Sequence, residues 1–370
     1  MRILSADAPY GQGGIGQHFK QLIEETRAEK RLHRYLSPVV PEDDPAAQRL
    51  SRAWWEPVLL DYTPIRWSNA WRSFLATEFH DRRMAALLPE LTQETPVTHV
   101  MGFVGSSLHT FRVAGSLNGV RRELVAANSH VANVRRLHAR ASADTGIRDT
   151  WLNDTLYQKT LREYEVADRI YVHSTYTRDS FLQTGIDERR LVDTTLHVDP
   201  RFQPPAERPK NDRFHVVYVG RVDATKGVPL LMAAYDRLPF PARLTIVGGW
   251  ATRRMRQFVE PWLAERPHVR LAPGDPLPVL QQADVFVHPS YEDGFGYAPM
   301  EALACGVPVI VTADTGMKEY VSEGQNGYVV PTGSTGAIVD ALRTVYRTPL
   351  ASTASLLASS TPSPALSPLN

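Results

Sequence analysis

"DVFVHPSYEDGFGYAPMEALACGVPVI", residues 284–310, holds a strand, a turn, a helix and the next strand in one uninterrupted stretch. "DVFVHPS" is a short apolar run rich in β-branched residues. Gly294 and Gly296 follow, letting the backbone turn tightly, and "YAPMEALACG" has the composition of a helix ending at Gly306. "VPVIV" then resumes the strand pattern. Two strands joined through a helix form the parallel βαβ unit.

Working outward, the same rhythm recurs on both sides. Past residue 212, "FHVVYVG" precedes a helix from about 228, "RLTIVGG" a helix from about 252, and "GYVV" a last helix. Earlier in the chain, "RILSA", "THVMGF", "ELVAA" and "RIYVHS" read as buried strands, with helical patterns at 15–29, 70–88 and 155–166 between them. Between the two halves, "DPRFQPPAERPKND" (residues 199–212) carries four prolines and clustered charges, the composition of a linker. A length of 370 residues exceeds what one core usually supports. The expectation is an α/β protein of two doubly wound Rossmann-like domains, 1–198 and 199–347, facing across a cleft. Its ligands would lie beyond the carboxyl ends of the strands. From Thr348 to Asn370 no residue is charged and Ser, Pro, Ala and Leu dominate, so 348–370 reads as a disordered tail.

Composition excludes several function classes. Lys+Arg 41 against Asp+Glu 40 leaves no field for nucleic acid. The lone Cys305 forms no internal disulfide and fits a reducing compartment. "MRILSADAPYGQGG" lacks the apolar core of a signal peptide, and no apolar run is long enough for a bilayer span, so the expected location is cytoplasmic.

Three stretches carry candidate chemistry. In the opening stretch, a helix that begins after a glycine loop presents free N–H groups and its positive dipole end to an anion, typically a phosphate. Asp293 in the loop and Glu301, read as one and a half turns into the helix, would repel a phosphate unless they bind something else. Sugar hydroxyls suit them, because a carboxylate accepts two hydroxyl hydrogen bonds at once. A charged helix cap plus a surface glutamate is the plainer alternative. In "VYVGRVDATKGVPLL" (residues 217–231), Arg221 and Lys226 follow a strand and precede a helix, where both can neutralise a diphosphate. "YGQGGIGQHF" (residues 10–19) does not meet the G-x-G-x-x-G dinucleotide fingerprint, which disfavours a nicotinamide cofactor. Its glycines still allow close backbone approach to a ligand.

"VGRVDATKG", "HPSYEDGFGYAPMEALACGVPVI" and "NGYVV" resemble the C-terminal domain of retaining glycosyltransferases of family 4, which have the GT-B fold. The resemblance implies that Arg221 and Lys226 hold the diphosphate of a nucleotide-sugar donor and that Glu301 holds the ribose. Phe295 and Gly296 would offer backbone N–H groups to the donor sugar, with Gly220, Gly294 and Tyr297 belonging to the same donor-binding motifs and Gly14 lying near the phosphates. Where the family has Glu, seven residues and Glu, this chain has Asp293 at the first position, preceded by Glu292. "NSHVANVRRLHARASADTG" resembles a branch of the family whose histidine enters the active site, which points to His130. His18, His109, His173 and His288 receive no role.

The implied reaction moves a hexose from a nucleoside-diphosphate sugar to a glycan, lipid-linked or small-molecule acceptor, as in bacterial cell-surface polysaccharide or glycolipid synthesis. Anomeric configuration is retained by front-face attack. No metal and no other cofactor is expected, since no Asp-x-Asp follows a strand and "PEDDPAA" (41–47) reads as a helix start. The alternatives are a non-catalytic nucleotide-sugar-binding protein of the same fold, or a phosphorylase or epimerase on it. Relatives usually continue past the equivalent of Arg347 with further helices, where this chain has its uncharged tail.

Four of the seven tryptophans, Trp54, Trp55, Trp67 and Trp71, cluster with Tyr62, Phe74 and several arginines. The preferred reading is a helical layer packed on the N-terminal domain. The alternative is a surface for a lipid-linked acceptor or for peripheral contact with the inner face of the membrane.

Overall fold

The computed structural model describes residues 1–350, so most of the segment read as a disordered tail lies outside the described residues. The chain divides into two compact units. The first comprises 1–140, 148–197 and 292–295; the second comprises 141–147, 198–291 and 296 onward.

In the first unit, chain order runs β1 (Arg2–Ser5), α1 (Gly13–Ala28), β2 (Leu32–Ser37), β3 (Ala47–Arg49), α2 (Trp55–Tyr62), a 3-10 turn (Pro64–Trp67), α3 (Asn69–Glu94), β4 (His99–Phe103) and α4 (Leu108–Gly115). It continues with β5 (Arg121–Val125), α5 (Val131–Thr145), α6 (Asp154–Val166), β6 (Arg169–Val172), α7 (Thr175–Leu182) and β7 (Leu191–Asp193). The strands form one sheet in the order β3-β2-β1-β4-β5-β6-β7, parallel at every pairing. Successive strand side chains point to opposite faces, and the core follows that period. Ile3, Val100 and Leu124 pack into one apolar cluster with Met84, Leu88 and Phe111; Leu4, Met101 and Val125 pack into another with Phe19 and Ile23. Both faces are covered by helices, which is why these strands read as continuous apolar runs.

The second unit contains β8 (Phe214–Val219), α8 (Val228–Tyr235), β9 (Ala242–Val247), α9 (Arg253–Ala264), β10 (Val269–Ala272), α10 (Leu277–Leu280), β11 (Val285–His288), α11 (Tyr297–Ala304), β12 (Val309–Thr312), β13 (Gly327–Val330) and α12 (Thr335–Arg347). Its sheet runs β10-β9-β8-β11-β12-β13, again parallel throughout. Val216, Leu244, Val285, Val287 and Ile310 form its core with Leu231, Ile338 and Leu342 of the helices. His288, given no role from sequence, is buried in β11. Residues 199–212 contain no strand or helix, as a proline-rich linker should.

The stretch "PEDDPAA" does not start a helix. It forms turns that lead into β3, with Asp44 accepting from the Ala46 N–H at 3.0 Å and pairing with Arg27. Asx-type bonding of this sort competes with helix initiation.

Candidate functional site

The strand order reverses direction between β8 and β11: from β8 the chain moves to β9 and β10, then returns to β8's other side. Such a switch point opens a crevice beyond the carboxyl ends of the two strands. Arg221 and Lys226 leave the end of β8, and the glycine loop and α11 leave the end of β11.

The two loops are in backbone contact. The Tyr291 N–H donates to the Thr225 carbonyl at 2.9 Å. Gly227 has φ +73°, and a Cβ built there would lie 1.9 Å from the Pro289 carbonyl oxygen. Only glycine satisfies both the left-handed backbone and the close approach. At Arg221, the carbonyl accepts from the Tyr218 hydroxyl at 2.7 Å, and the guanidinium donates to Asp223 at 3.1 Å while half the side chain stays exposed. Asp223 is fully buried and also accepts from the Thr225 N–H and hydroxyl, each at 2.8 Å. This carboxylate therefore ties the loop together and aims the arginine.

Helix α11 begins after Gly296 (φ +98°), a cap residue with no side chain of its own to bond the first turn. The N–H groups and dipole of that turn point out of the carboxyl end of the sheet. Glu301 is the fifth residue of α11 and buried, so it lies just over one turn into the helix rather than one and a half. Gly220, Arg221, Lys226, Gly296, Tyr297 and Glu301 thus belong to one unit and to the segments that follow two adjacent strands.

Asp293, Gly294 and Phe295 cluster with the first unit. The Gly294 carbonyl accepts from the Ser174 and Thr177 hydroxyls at 2.6 and 2.9 Å. A Cβ at Gly294 would sit 2.3 Å from the Ala127 carbonyl oxygen, so this loop lies directly on the segment that follows β5. Glu292 is buried there and accepts from Asn128 Nδ2 at 2.7 Å and from the Ser129 N–H at 2.9 Å. The sequence reading gave Glu292 no task of its own. Its sole signal was a second carboxylate beside Asp293.

His130 is the next residue along that segment, immediately before α5. Its N–H donates to Ser180 Oγ at 2.8 Å, and its ring lies 4.8 Å from Tyr164 and 5.2 Å from Phe181. Burial holds the imidazole down at about 4, hence neutral. Nδ1 accepts from the Ala132 N–H at 3.2 Å, which leaves the proton on Nε2. His130 is therefore a fixed-tautomer donor. Gly14 is the second residue of α1, exposed, in a first turn whose N-cap residue Gln12 makes no side-chain bond.

Two other groups of the first unit were not singled out from sequence. Asp7 follows β1 at that sheet's own switch point, its carboxyl pushed up to about 6 by burial against the opposing charges of Arg52 and Arg83. Glu78, Asp81 and His109 bring ligand-type atoms within 4.8 Å of one another. The Lys159 ammonium already lies 2.8 Å from Glu78 and 2.9 Å from Asp81, so the cluster is an ion-pair network joining α3, α4 and α6. His18 and His173, given no role, are buried against each other with rings 4.2 Å apart.

Comparison with known proteins agrees with this layout. Residues 200–355 match the family model "Glycosyl transferases group 1". The capsular polysaccharide biosynthesis glycosyltransferase CapM of Staphylococcus aureus is 32% identical over 136 residues, 35% of this chain and 36% of that protein. The curated relatives that this chain matches are aligned over less than half of their own length. Among solved structures, sucrose-phosphate synthase from Thermosynechococcus elongatus superposes with a TM-score of 0.73 at 19% identity, covering 96% of this chain and 92% of that one. Anabaena HepE in complex with UDP-glucose gives 0.65 at 15% identity, covering 97% and 94%. At such identities the likeness is one of fold. The chain has the GT-B fold, with two parallel Rossmann-like sheets, and its C-terminal segment carries the pattern of the group 1 glycosyl transferases.

Proposed function

We propose that this protein is a retaining glycosyltransferase, akin to family 4, that moves a hexose from a nucleoside-diphosphate sugar to a glycan or lipid-linked acceptor. The observation that carries the reading is the pairing, at the β8/β11 switch point, of two cationic side chains with a helix N-terminus that follows a glycine cap. A pyrophosphate meets both requirements of such a place, charge and N–H donors. Support for the acceptor class comes from the capsular polysaccharide glycosyltransferase, and for the donor class from the HepE complex with UDP-glucose.

Glycosyl transfer demands that a leaving diphosphate be stabilised while the sugar develops positive charge. In this reading Arg221, Lys226 and the first N–H groups of α11 take up the negative charge, each donor contributing about 3 kcal/mol of transition-state stabilisation. Glu301 accepts from the ribose hydroxyls; Asp293 and the His130 Nε2–H are the groups that the family resemblance assigns to the sugar. The bond from the anomeric carbon to the phosphate oxygen breaks, and the bond to the acceptor oxygen forms on the same face. The departing phosphate oxygen takes the acceptor's proton. No protein nucleophile is used, and the cationic side chains take the place a divalent ion would have.

Thermal-shift screening against UDP-, GDP- and ADP-sugars tests the donor class, since a ligand that binds only the folded chain raises its melting temperature. Acceptor-dependent release of the nucleoside diphosphate, with the product's anomeric configuration read by NMR, tests transfer and retention. Stabilisation by a nucleotide sugar without transfer to any acceptor would replace this reading with that of a binding protein, in keeping with Asp293 in place of the family's glutamate.

A further inference from the structure

Residues 52–72 break the rule that a surface helix turns its polar side outward. In α2, Glu56 and Leu60, one turn apart, are the buried pair. Trp55, Val58 and Tyr62, at i, i+3 and i+7, form the opposite stripe, and all three are exposed. Trp54 is 85% exposed, Tyr62 77% and Trp67 61%. Among the described residues, six of the eleven exposed large hydrophobic side chains fall between 54 and 71, so the exposure is concentrated and not scattered. The segment is a helical layer packed on the first unit, as expected from sequence, but its outer face is aromatic. Glu56 and Leu60 anchor its inner side, and edge-to-face contacts of Trp55 with Phe79 and of Trp71 with Phe74 hold those two rings while leaving them partly exposed.

The exposed charge of this surface is net positive, carried by Arg52 and Arg66, with Arg72 offset by the half-exposed Asp61. Arg52, Arg66 and Arg72 are exposed. Of the segment's two carboxylates, Glu56 is buried and paired with Arg83, and Asp61 is bonded to Arg72 at 2.8 Å. The Arg66 guanidinium lies 4.8 Å over the Trp67 ring, presenting cation and aromatic together. Tryptophan and tyrosine with arginine is the mixture that settles at a bilayer's headgroup level. A positive outward charge selects anionic lipid. Among the described residues no helix is long and apolar enough to cross a membrane.

We propose that residues 52–72 dock the protein onto the surface of an anionic bilayer, with Trp54, Tyr62 and Trp67 inserted among the headgroups. The proposal is independent of the transfer reaction, because docking is measured with no donor or acceptor present. The full chain is titrated with vesicles of phosphatidylcholine, and with vesicles of equal parts phosphatidylcholine and phosphatidylglycerol. Sedimentation and tryptophan emission are followed. Binding with a blue shift on the anionic vesicles, weakened by salt, is expected. Trp54→Ser/Tyr62→Ser/Trp67→Ser should abolish sedimentation while circular dichroism stays unchanged. Arg66→Glu, which leaves the aromatics intact, should weaken binding about tenfold or more, since each basic charge near an anionic surface counts for about fivefold. No binding to anionic vesicles, or binding equal in the wild type and both variants, overturns the proposal. Concentration-dependent dimerisation lost in the triple variant, without vesicle binding, overturns it in favour of a second copy of the chain.

Discussion

Gly227 is where the architecture of the β8/β11 crevice is most open to attack. Replacement by alanine puts a methyl 1.9 Å from the Pro289 carbonyl oxygen, on a residue with φ +73°. Ordinary contact is about 3.2 Å, so the loops after β8 and β11 must part by more than about 1 Å. Holding alanine in the left-handed region costs about 1 kcal/mol and overpacking adds about 1–3, giving roughly 2–4 kcal/mol of lost stability. The parting also breaks the alignment of the Thr225 carbonyl with the Tyr291 N–H, and with it the placing of Lys226 relative to α11. A misplacement of about 1 Å in positioning groups costs about a hundredfold in rate. Gly227→Ala should therefore melt several degrees lower and, at temperatures where it remains folded, turn over donor about a hundredfold more slowly. Differential scanning calorimetry and nucleotide-release kinetics measure the two effects. A variant with wild-type melting and wild-type nucleotide affinity would refute the claim that these two loops jointly build one site.

Arg221→Ala should leave the fold intact, since half the side chain is exposed and its one described ion pair is to Asp223, and should weaken nucleoside-diphosphate binding about 10- to 100-fold by calorimetric titration. Lys159→Met should lower stability by about 3 kcal/mol in urea titrations, because it takes the cation from buried Asp81 and leaves Glu78 with Arg82 and His109 alone. Against the desolvation that would raise it, Lys159 holds Glu78 down at about 2. That stability is present above the unfolded carboxyl range and lost as pH falls toward 2, so the variant should unfold at a higher pH than the wild type. His130 works in the same direction from a lowered imidazole: the unfolded chain takes up its proton near pH 6.5 and the folded chain only near about 4. Stability therefore declines as pH falls through that window, and His130→Gln should remove about 1.4 kcal/mol per pH unit of slope there, read from urea midpoints across pH.

The parallel α/β character of both halves was legible because it is a local property. Alternating apolar runs and helical periods, with glycines and prolines between, report which residues are buried and how the backbone turns. Strands at 2–5, 99–103, 214–219, 242–247 and 285–288 fall where the apolar runs stood. β2, β3, β7 and β10 escaped that reading: the three edge strands β3, β7 and β10, of three or four residues, carry too few side chains for a period, and β2 ("LHRYLS") mixes polar residues into its run. The glycine loop with its helix, and the cationic loop after β8, were also legible, each within about a dozen residues of sequence.

Tertiary structure alone decided what those pieces meet. Strand order is set by pairings between residues far apart in the chain, such as Val285 with Val216, and so is the switch point that puts Arg221 and α11 at one end of one sheet. The same holds for Glu292, whose partners Asn128 and Ser129 lie more than a hundred and sixty positions away. Lys159 shows it again, its ammonium filling a cluster of carboxylates that by composition alone resembles a metal site. The aromatic segment makes the point most sharply. Periodicity shows that Trp55, Val58 and Tyr62 share a face, but whether that face meets a core or water depends on what the rest of the chain places opposite it, and here the buried stripe is the one bearing Glu56 and Leu60.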